Sequence, residues 1–231
     1  MIVATYNRTP LLWNSLTALA DKTWPDELIV VDDGSDDGCE DCCSTFASFG
    51  LPIQYIYNHR PYFATPCQPR NAAARMASST DLLMVEPEVL FLTDIVAQLK
   101  AARESYPEDI LYGWTYHANS EGSGVEDAEH MGTFPYYTLY RRSWLFDVQG
   151  YDEGFENPWG HDDFDLNGRL AKIGHDYRRI DGCEALHQWH TSRIEPCVEN
   201  EARCRAKVYP RDTIANRELG EHGWGVVIPR P

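Results

Sequence analysis

Four short apolar runs in the first hundred residues each lead into a helical pattern, and this alternation constrains the fold most. The runs are Ile2 to Thr5, Glu27 to Val31, Ile53 to Tyr57 and Asp81 to Val85. Thr9-Pro10 opens a helix, with threonine as N-cap and proline at the first helical position. Leu11, Leu12, Leu16 and Leu19 give that helix an apolar stripe. Further helices are expected from about Cys39 to Phe49, over the alanine-rich stretch Arg70 to Ala77, and from Thr93 to about Glu104. Short strands alternating with helices predict an α/β fold, with a mostly parallel central sheet flanked by helices.

In such sheets ligands bind at the carboxyl ends of the strands. Two acidic segments fall there: Asp32-Asp33-Gly34-Ser35 and Glu86-Pro87-Glu88. The first is not a calcium loop, because the twelfth position counted from Asp33 is Ser44, where a glutamate is needed. A carboxylate at a strand end can instead accept the imide N–H of a uracil or a ribose hydroxyl. Glu86 and Glu88 project to one side of an extended segment. Oxygen ligands so spaced suit Mg²⁺ or Mn²⁺ bridging phosphates; the other reading is a solvated turn. Arg70, at the start of its helix, is either a phosphate ligand or a surface arginine.

The second half changes character. Ile110 to His117 and Phe134 to Tyr140 read as aromatic strands. Between them Ala118 to Gly132, rich in Gly, Ser and Glu, is a candidate lid or a plain surface loop. Next comes Asn157-Pro158-Trp159-Gly160-His161-Asp162-Asp163-Phe164-Asp165-Leu166. Leu166, Leu170 and Ile173 recur on one helix face, Gly174 ends the helix, and Asp162 and Asp163 lie on its first turn. One reading is a cap and a solvated acidic turn, with Asp165 paired to Arg169. The other is a site that grips hydroxyls and removes a proton from one of them; Trp159 would supply an aromatic wall and Gly160 close access to the backbone. Strands follow near Asp176 to Ile180 and Cys183 to His190. His187 and His190, three apart in a strand, face opposite ways, so at most one is expected on a given metal. The tail from Thr191 to Pro231 has weak periodicity. There is no internal repeat or linker, so one domain with two unequal halves is expected.

A chain of 231 residues that is 43% apolar can bury a sizeable core. Its net charge of −16 repels a phosphate backbone, so broad nucleic-acid binding is not expected. No apolar run approaches a membrane span, and Met1 leads directly into the first strand, so a cytoplasmic location is expected. The seven cysteines are an odd number and argue against a disulfide framework. Free thiols are expected, with a structural zinc at Cys39-x-x-Cys42 as the other reading.

Taken as a set, Ile2-Val3-Ala4-Thr5-Tyr6-Asn7-Arg8, Ile29-Val30-Val31-Asp32-Asp33-Gly34-Ser35, Pro69-Arg70-Asn71 and Trp159-Gly160-x-Asp162-Asp163-x-Asp165-Leu166 resemble the inverting glycosyltransferases of family 2 with the GT-A fold. The second half also resembles the catalytic regions of bacterial chondroitin polymerases, polypeptide N-acetylgalactosaminyltransferases and β-1,4-galactosyltransferases. The resemblance spans roughly residues 1 to 190 and implies a single GT-A domain over 1–231. Residues 1–105 would form the nucleotide-sugar half, 106–190 the acceptor and catalytic half, and 191–231 a tail. It implies that Thr5, Tyr6 and Asp33 hold the nucleobase, with Arg8 in the same nucleotide-sugar site and Arg70 on the nucleotide. Glu88 would bind Mn²⁺ or Mg²⁺, and Glu86 the ribose or a metal-bound water. His187 best matches the late metal ligand, with His190 as its rival. Asp163 matches the general base; Asp162, Trp159 and Gly160 would line the acceptor site. The donor would be a UDP-sugar and the acceptor a glycan or other hydroxyl compound. The family has aspartates where this chain has Glu86 and Glu88. A nucleotidyltransferase is the rival enzyme, but Thr5 to Leu12 contains no glycine for a phosphate loop. A non-catalytic nucleotide-sugar-binding module is the other rival, and it has no need of a base.

Overall fold

The computed structural model describes residues 1–60, 65–119, 125–126, 136–155, 160–191, 198–208 and 213–230. The strands are β1 (Ile2–Thr5), β2 (Leu28–Asp32), β3 (Ile53–Tyr57), β4 (Asp81–Val85), β5 (Val89–Phe91), β6 (Ile110–Ala118), β7 (Val125–Glu126), β8 (Tyr137–Arg141) and β9 (Tyr177–His187). The helices used below are α1 (Thr9–Leu19), α2 (Cys39–Ser48), α3 (Cys67–Met76), α4 (Ile95–Ser105), α5 (Arg142–Asp147), α6 (Asp162–Lys172) and α7 (Val198–Val208).

One sheet runs β3-β2-β1-β4-β8-β6-β9-β5, with β7 paired to β6. The expected parallel unit is present: β3, β2, β1 and β4 are parallel neighbours. Of these, β1, β2 and β4 are buried on both faces, which is why they read as continuous apolar runs, while the edge strand β3 is only partly buried. Val3, Leu28, Val30, Leu83 and Val85 meet α1, α2 and α4 on one face. Ile2, Ile29, Val31, Leu82 and Met84 meet α3, α5 and α6 on the other. Beyond β4 the sheet becomes mixed, because β8 runs antiparallel to both β4 and β6.

Several boundaries differ from the sequence expectation. Thr9 does not cap α1; Arg8 occupies that position, and Thr9 binds Asp37 through its N–H at 2.8 Å and its hydroxyl at 2.7 Å. Asp94, not Thr93, caps α4, accepting from the Ala97 N–H. The helix of Arg70 starts three residues early, at Cys67, and the Arg70 N–H donates to the Pro66 carbonyl at 3.0 Å. That amide is therefore not free for a phosphate. The two late strands are one strand, β9, with Gly182 at φ +82° and a register shift opposite Tyr112 and Trp114. The tail is not featureless: α7 packs on α6, and Trp224 is buried. The candidate lid lies outside the described residues except for Ala118, Asn119 and β7. The six described cysteines are buried free thiols. Among the described residues no helix is long and apolar enough to cross a membrane.

Candidate active site

The carboxyl ends of β1, β2 and β4 and the first turn of α6 converge on one rim. Arg70 sits at its centre, nearly buried. Its Nη2 donates to Glu86 Oε1, and its Nη1 lies 3.4 Å from both Asp162 Oδ2 and Asp163 Oδ1. The guanidinium also lies over the Tyr151 ring, 5.1 Å from its centre. The chain enters α6 through two left-handed residues, Gly160 at φ +85° and His161 at φ +72°. A Cβ at Gly160 would meet nothing within 4 Å among the described residues, and its φ accounts for the glycine. Asn200 of α7 donates to the Gly160 carbonyl at 3.2 Å and steadies this turn.

The three aspartates of α6 have different fates. Asp165 accepts from Arg169 at 2.8 Å, and both side chains are at most 2% exposed. The pairing is the expected one, but it lies in the core and not on a solvated face. Asp162 is buried and Asp163 is one-third exposed, so Asp163 is the more accessible carboxylate. Burial pushes Asp162 up to about 7, the neighbouring Asp163 charge adds to this, and Arg70 opposes it. Burial also raises Asp163, against the Arg70 charge and a hydrogen bond from the Tyr151 phenol. Glu86 is raised by burial and held back by Arg70.

A second cluster lies beside the first. Glu88 Oε1 is 3.3 Å from His187 Nε2, 3.1 Å from His190 Nε2 and 3.5 Å from Arg8 Nη1. Glu88, His187 and His190 offer ligand atoms within 4.8 Å of one another. The two histidines do not face opposite ways as expected for a strand: β9 ends at His187, so strand alternation does not govern His190, and both rings lie against Glu88. Burial pushes the Glu88 carboxyl up, but hydrogen bonds from His187 and His190 and the Arg8 charge outweigh it and hold it well below the usual carboxylate range. The other oxygen, Oε2, is buried with no hydrogen-bond partner among the described residues, as an atom reserved for a cation would be. Two imidazoles and one carboxylate fit Mn²⁺ better than Mg²⁺, which favours oxygen ligands. The His187 ring packs between His117 at 5.0 Å and Tyr136 at 4.4 Å.

On the far side of the rim, Asp33 is buried and receives both Nε and Nη2 of Arg60, plus Asn58 Nδ2 at 2.6 Å. Burial raises its carboxyl, and Arg60 opposes the shift. Asp32 accepts from Tyr55 at 2.7 Å and from the Ser35 N–H at 2.8 Å. The Thr5 hydroxyl is buried without a hydrogen-bond partner among the described residues.

The sequence profile described as "Glycosyl transferase family 2" matches residues 1–156. The chain belongs to glycosyl transferase family 2. This family 2 chain is 26% identical, over an alignment of 238 residues, to "Chondroitin synthase" of Escherichia coli, covering 81% of the chain and 34% of that relative. Its fold matches S. aureus TarS in complex with UDP at a TM-score of 0.72 and 18% identity, over 90% of this chain and 63% of that one. It also matches the mannosyltransferase PcManGT from Pyrobaculum calidifontis, in complex with GDP-Man and Mn²⁺, at a TM-score of 0.60 and 17% identity, over 90% and 61% of the two chains. These likenesses support the α/β GT-A architecture expected from the motifs. The chain spans about a third of the length of the chondroitin synthase and about three fifths of the two solved chains.

The fold thus gathers most of the residues singled out in this family 2 sequence. Arg70, Glu86, Asp162 and Asp163 form one cluster; Arg8, Glu88, His187 and His190 form the adjacent one. Thr5 and Asp33 meet through the Asp33 N–H and the Thr5 carbonyl at 2.8 Å, and Tyr6 follows β1. Glu86, expected at the ribose or a metal-bound water, accepts from Arg70 Nη2. Trp159 lies outside the described residues. Tyr151, Asn58 and Arg60 were missed. Asn58 and Arg60 had a signal, being polar residues just past the carboxyl end of a strand; Tyr151 had none.

Proposed function

We propose that this chain is an inverting glycosyltransferase that moves a sugar from a UDP-linked donor to an acceptor hydroxyl. The observation that carries the reading is Asp163: a partly exposed carboxylate held beside Arg70 at the rim, next to a Glu88–His187–His190 cluster. Residues 1–105 would hold the donor, with Thr5, Tyr6 and Asp33 on the base and Arg8 close by. Residues 106–190 would hold the acceptor and the base.

Asp163 accepts the proton of the acceptor hydroxyl as its oxygen attacks the anomeric carbon from the side opposite the diphosphate. A single displacement of this kind inverts the anomeric centre. Asp162, at the same helix start, orients acceptor hydroxyls. Arg70 stabilises negative charge on the departing diphosphate. A divalent ion held by Glu88, His187 and His190 would neutralise further charge there, which also explains how so acidic a protein accepts a polyphosphate. The UDP complex of TarS and its UDP-GlcNAc complex favour a UDP donor, and the Mn²⁺ of the mannosyltransferase complex favours that ion.

The test is incubation of the chain with UDP-sugars, Mn²⁺ and hydroxyl acceptors, following UDP release and the anomeric configuration of the product by NMR. An inverted product formed by wild type and lost in Asp163→Asn supports the reading. A retained configuration, or pyrophosphate release from a nucleoside triphosphate and a sugar phosphate, overturns it.

A further inference from the structure

The segment Trp224–Arg230 packs beside the carboxyl end of β3, far in sequence from the strand it meets. Ile228 lies alongside the residues that extend β3. Its N–H donates to Asn58 Oδ1 at 2.7 Å, and its carbonyl accepts from the His59 N–H at 2.7 Å. β3 is an edge strand, so this pairing covers its otherwise open carboxyl end. Gln68 Nε2 donates to the Val226 carbonyl. Arg230 pairs with Glu40 at 2.9 Å and lies over the Tyr57 ring at 4.1 Å.

These contacts end on groups that hold Asp33 and flank Arg70, the residues assigned above to the nucleotide. Asn58 is fully buried, and its Nδ2 donates both to Asp33 Oδ1 at 2.6 Å and to Gln68 Oε1 at 2.7 Å. Ile228 is therefore one bonded side chain away from Asp33. Two residues on, Arg60 grips the same carboxylate with Nε and Nη2. Arg60 is also wedged against the acidic turn: a Cβ at Gly34 would run into the Arg60 carbonyl. At the other end of the segment, the Gly225 N–H donates to Glu153 Oε1 at 2.6 Å, and the same oxygen accepts from Asn71 Nδ2 at 2.8 Å. Asn71 is the chain neighbour of Arg70. The segment thus braces the supports of Asp33 and of Arg70 together.

We infer that Trp224–Arg230 is a strap that positions the nucleotide-binding edge, acting on Asp33 through Asn58 and Arg60 and on the Arg70 helix through Glu153. It takes no part in bond making. Its ligand is the uridine diphosphate part of the donor, and the inference rests on the assignment of Asp33 to the nucleobase.

Two variants test it. A chain ended after Gly225 loses the Val226, Ile228 and Arg230 contacts but keeps buried Trp224; Val226 and Ile228 are 53% and 42% exposed, so the core is spared. Ile228→Pro removes the N–H that donates to Asn58 Oδ1 and fixes the local φ, while the residue 228 carbonyl that accepts from His59 is retained. Calorimetry with UDP in the presence of Mn²⁺ should show about tenfold weaker binding for each, the order expected when a buried binding group loses a hydrogen-bonded support. Affinity for Mn²⁺ alone should be unchanged, which separates a loosened edge from a misfolded protein, and Ile228→Val should bind UDP like wild type. UDP affinity unchanged in both variants, with only the melting temperature lowered, overturns the inference and leaves the segment as a cover for an edge strand. Asp33→Asn separates the two readings. If it weakens UDP binding while the strap variants do not, the strap fails alone; if it does not, the assignment of Asp33 to the base fails first.

Discussion

Arg70 Nη1 and Asp163 Oδ1 stand 3.4 Å apart, joining the third helix to the sixth across 93 residues of sequence. The same guanidinium reaches Glu86 and Asp162. One cation therefore couples the carboxylate proposed as base to the strand end proposed to face the donor, and a charge change at either side is felt at the other.

The amide of Asp163→Asn keeps the shape of the side chain but cannot accept a proton. We expect kcat to fall by about 10²–10⁴-fold, the usual cost of losing a general base. UDP affinity measured by calorimetry should stay within a few-fold of wild type. Near-normal turnover would move the role to Asp162.

Tyr151→Phe keeps the ring beneath Arg70 and removes the hydroxyl that donates to Asp163. That hydrogen bond favours the ionised carboxylate, so its loss raises the Asp163 pKa. A base must be deprotonated to act, so the acid limb of the kcat/KM profile should move to higher pH. Arg70, Glu86, Asp162, Tyr140 and Tyr177 also face this carboxylate and are unchanged in the variant. A profile superimposable on wild type would remove Tyr151 from the support of the base.

Asp162 costs stability where it ionises. Burial raises its folded pKa to about 7 from the ordinary carboxylate value of 3.8, so the folded state holds a proton that the unfolded state has released between those values. Stability is therefore full below about pH 4 and falls as pH rises towards 7. Asp162→Asn should flatten this part of the curve and raise the melting temperature at pH 8. Thermal melts from pH 4 to 8 decide the matter; a lower melting temperature at pH 8 would show that Arg70 depends on the Asp162 charge more than burial penalises it.

Glu88→Ala, His187→Ala and His190→Ala should each weaken Mn²⁺ binding by about tenfold or more, as loss of support or ligation at a metal site does. Because His190 lies as near Glu88 as His187 does, the two histidine variants should behave alike. Calorimetric titration with Mn²⁺ in the absence of donor checks this. A strong loss confined to His187→Ala would return His190 to a merely structural role.

Much of this was legible in the chain, and for a definite reason. A strand buried on both faces must be apolar throughout, so β1, β2 and β4 announce themselves; the carboxylates that end β2 and follow β4 then mark the rim. The acidic start of α6 was legible too. The roles of its three aspartates were not, because burial sorts them: Asp165 is sealed against Arg169, Asp162 is covered, and Asp163 retains access to solvent.

By itself, then, the sequence determined the layered α/β order and the placing of carboxylates at strand ends, since both follow from local periodicity and polarity. Only the tertiary structure decided who meets whom. Arg70 became the hub because the fold brings the end of β4 and the start of α6 against α3. Both histidines reach Glu88 because β9 stops at His187 and the chain turns. Asn58 meets Ile228 across 170 residues. Such meetings depend on how helices and edges pack, and packing distances between remote residues leave no mark on local sequence.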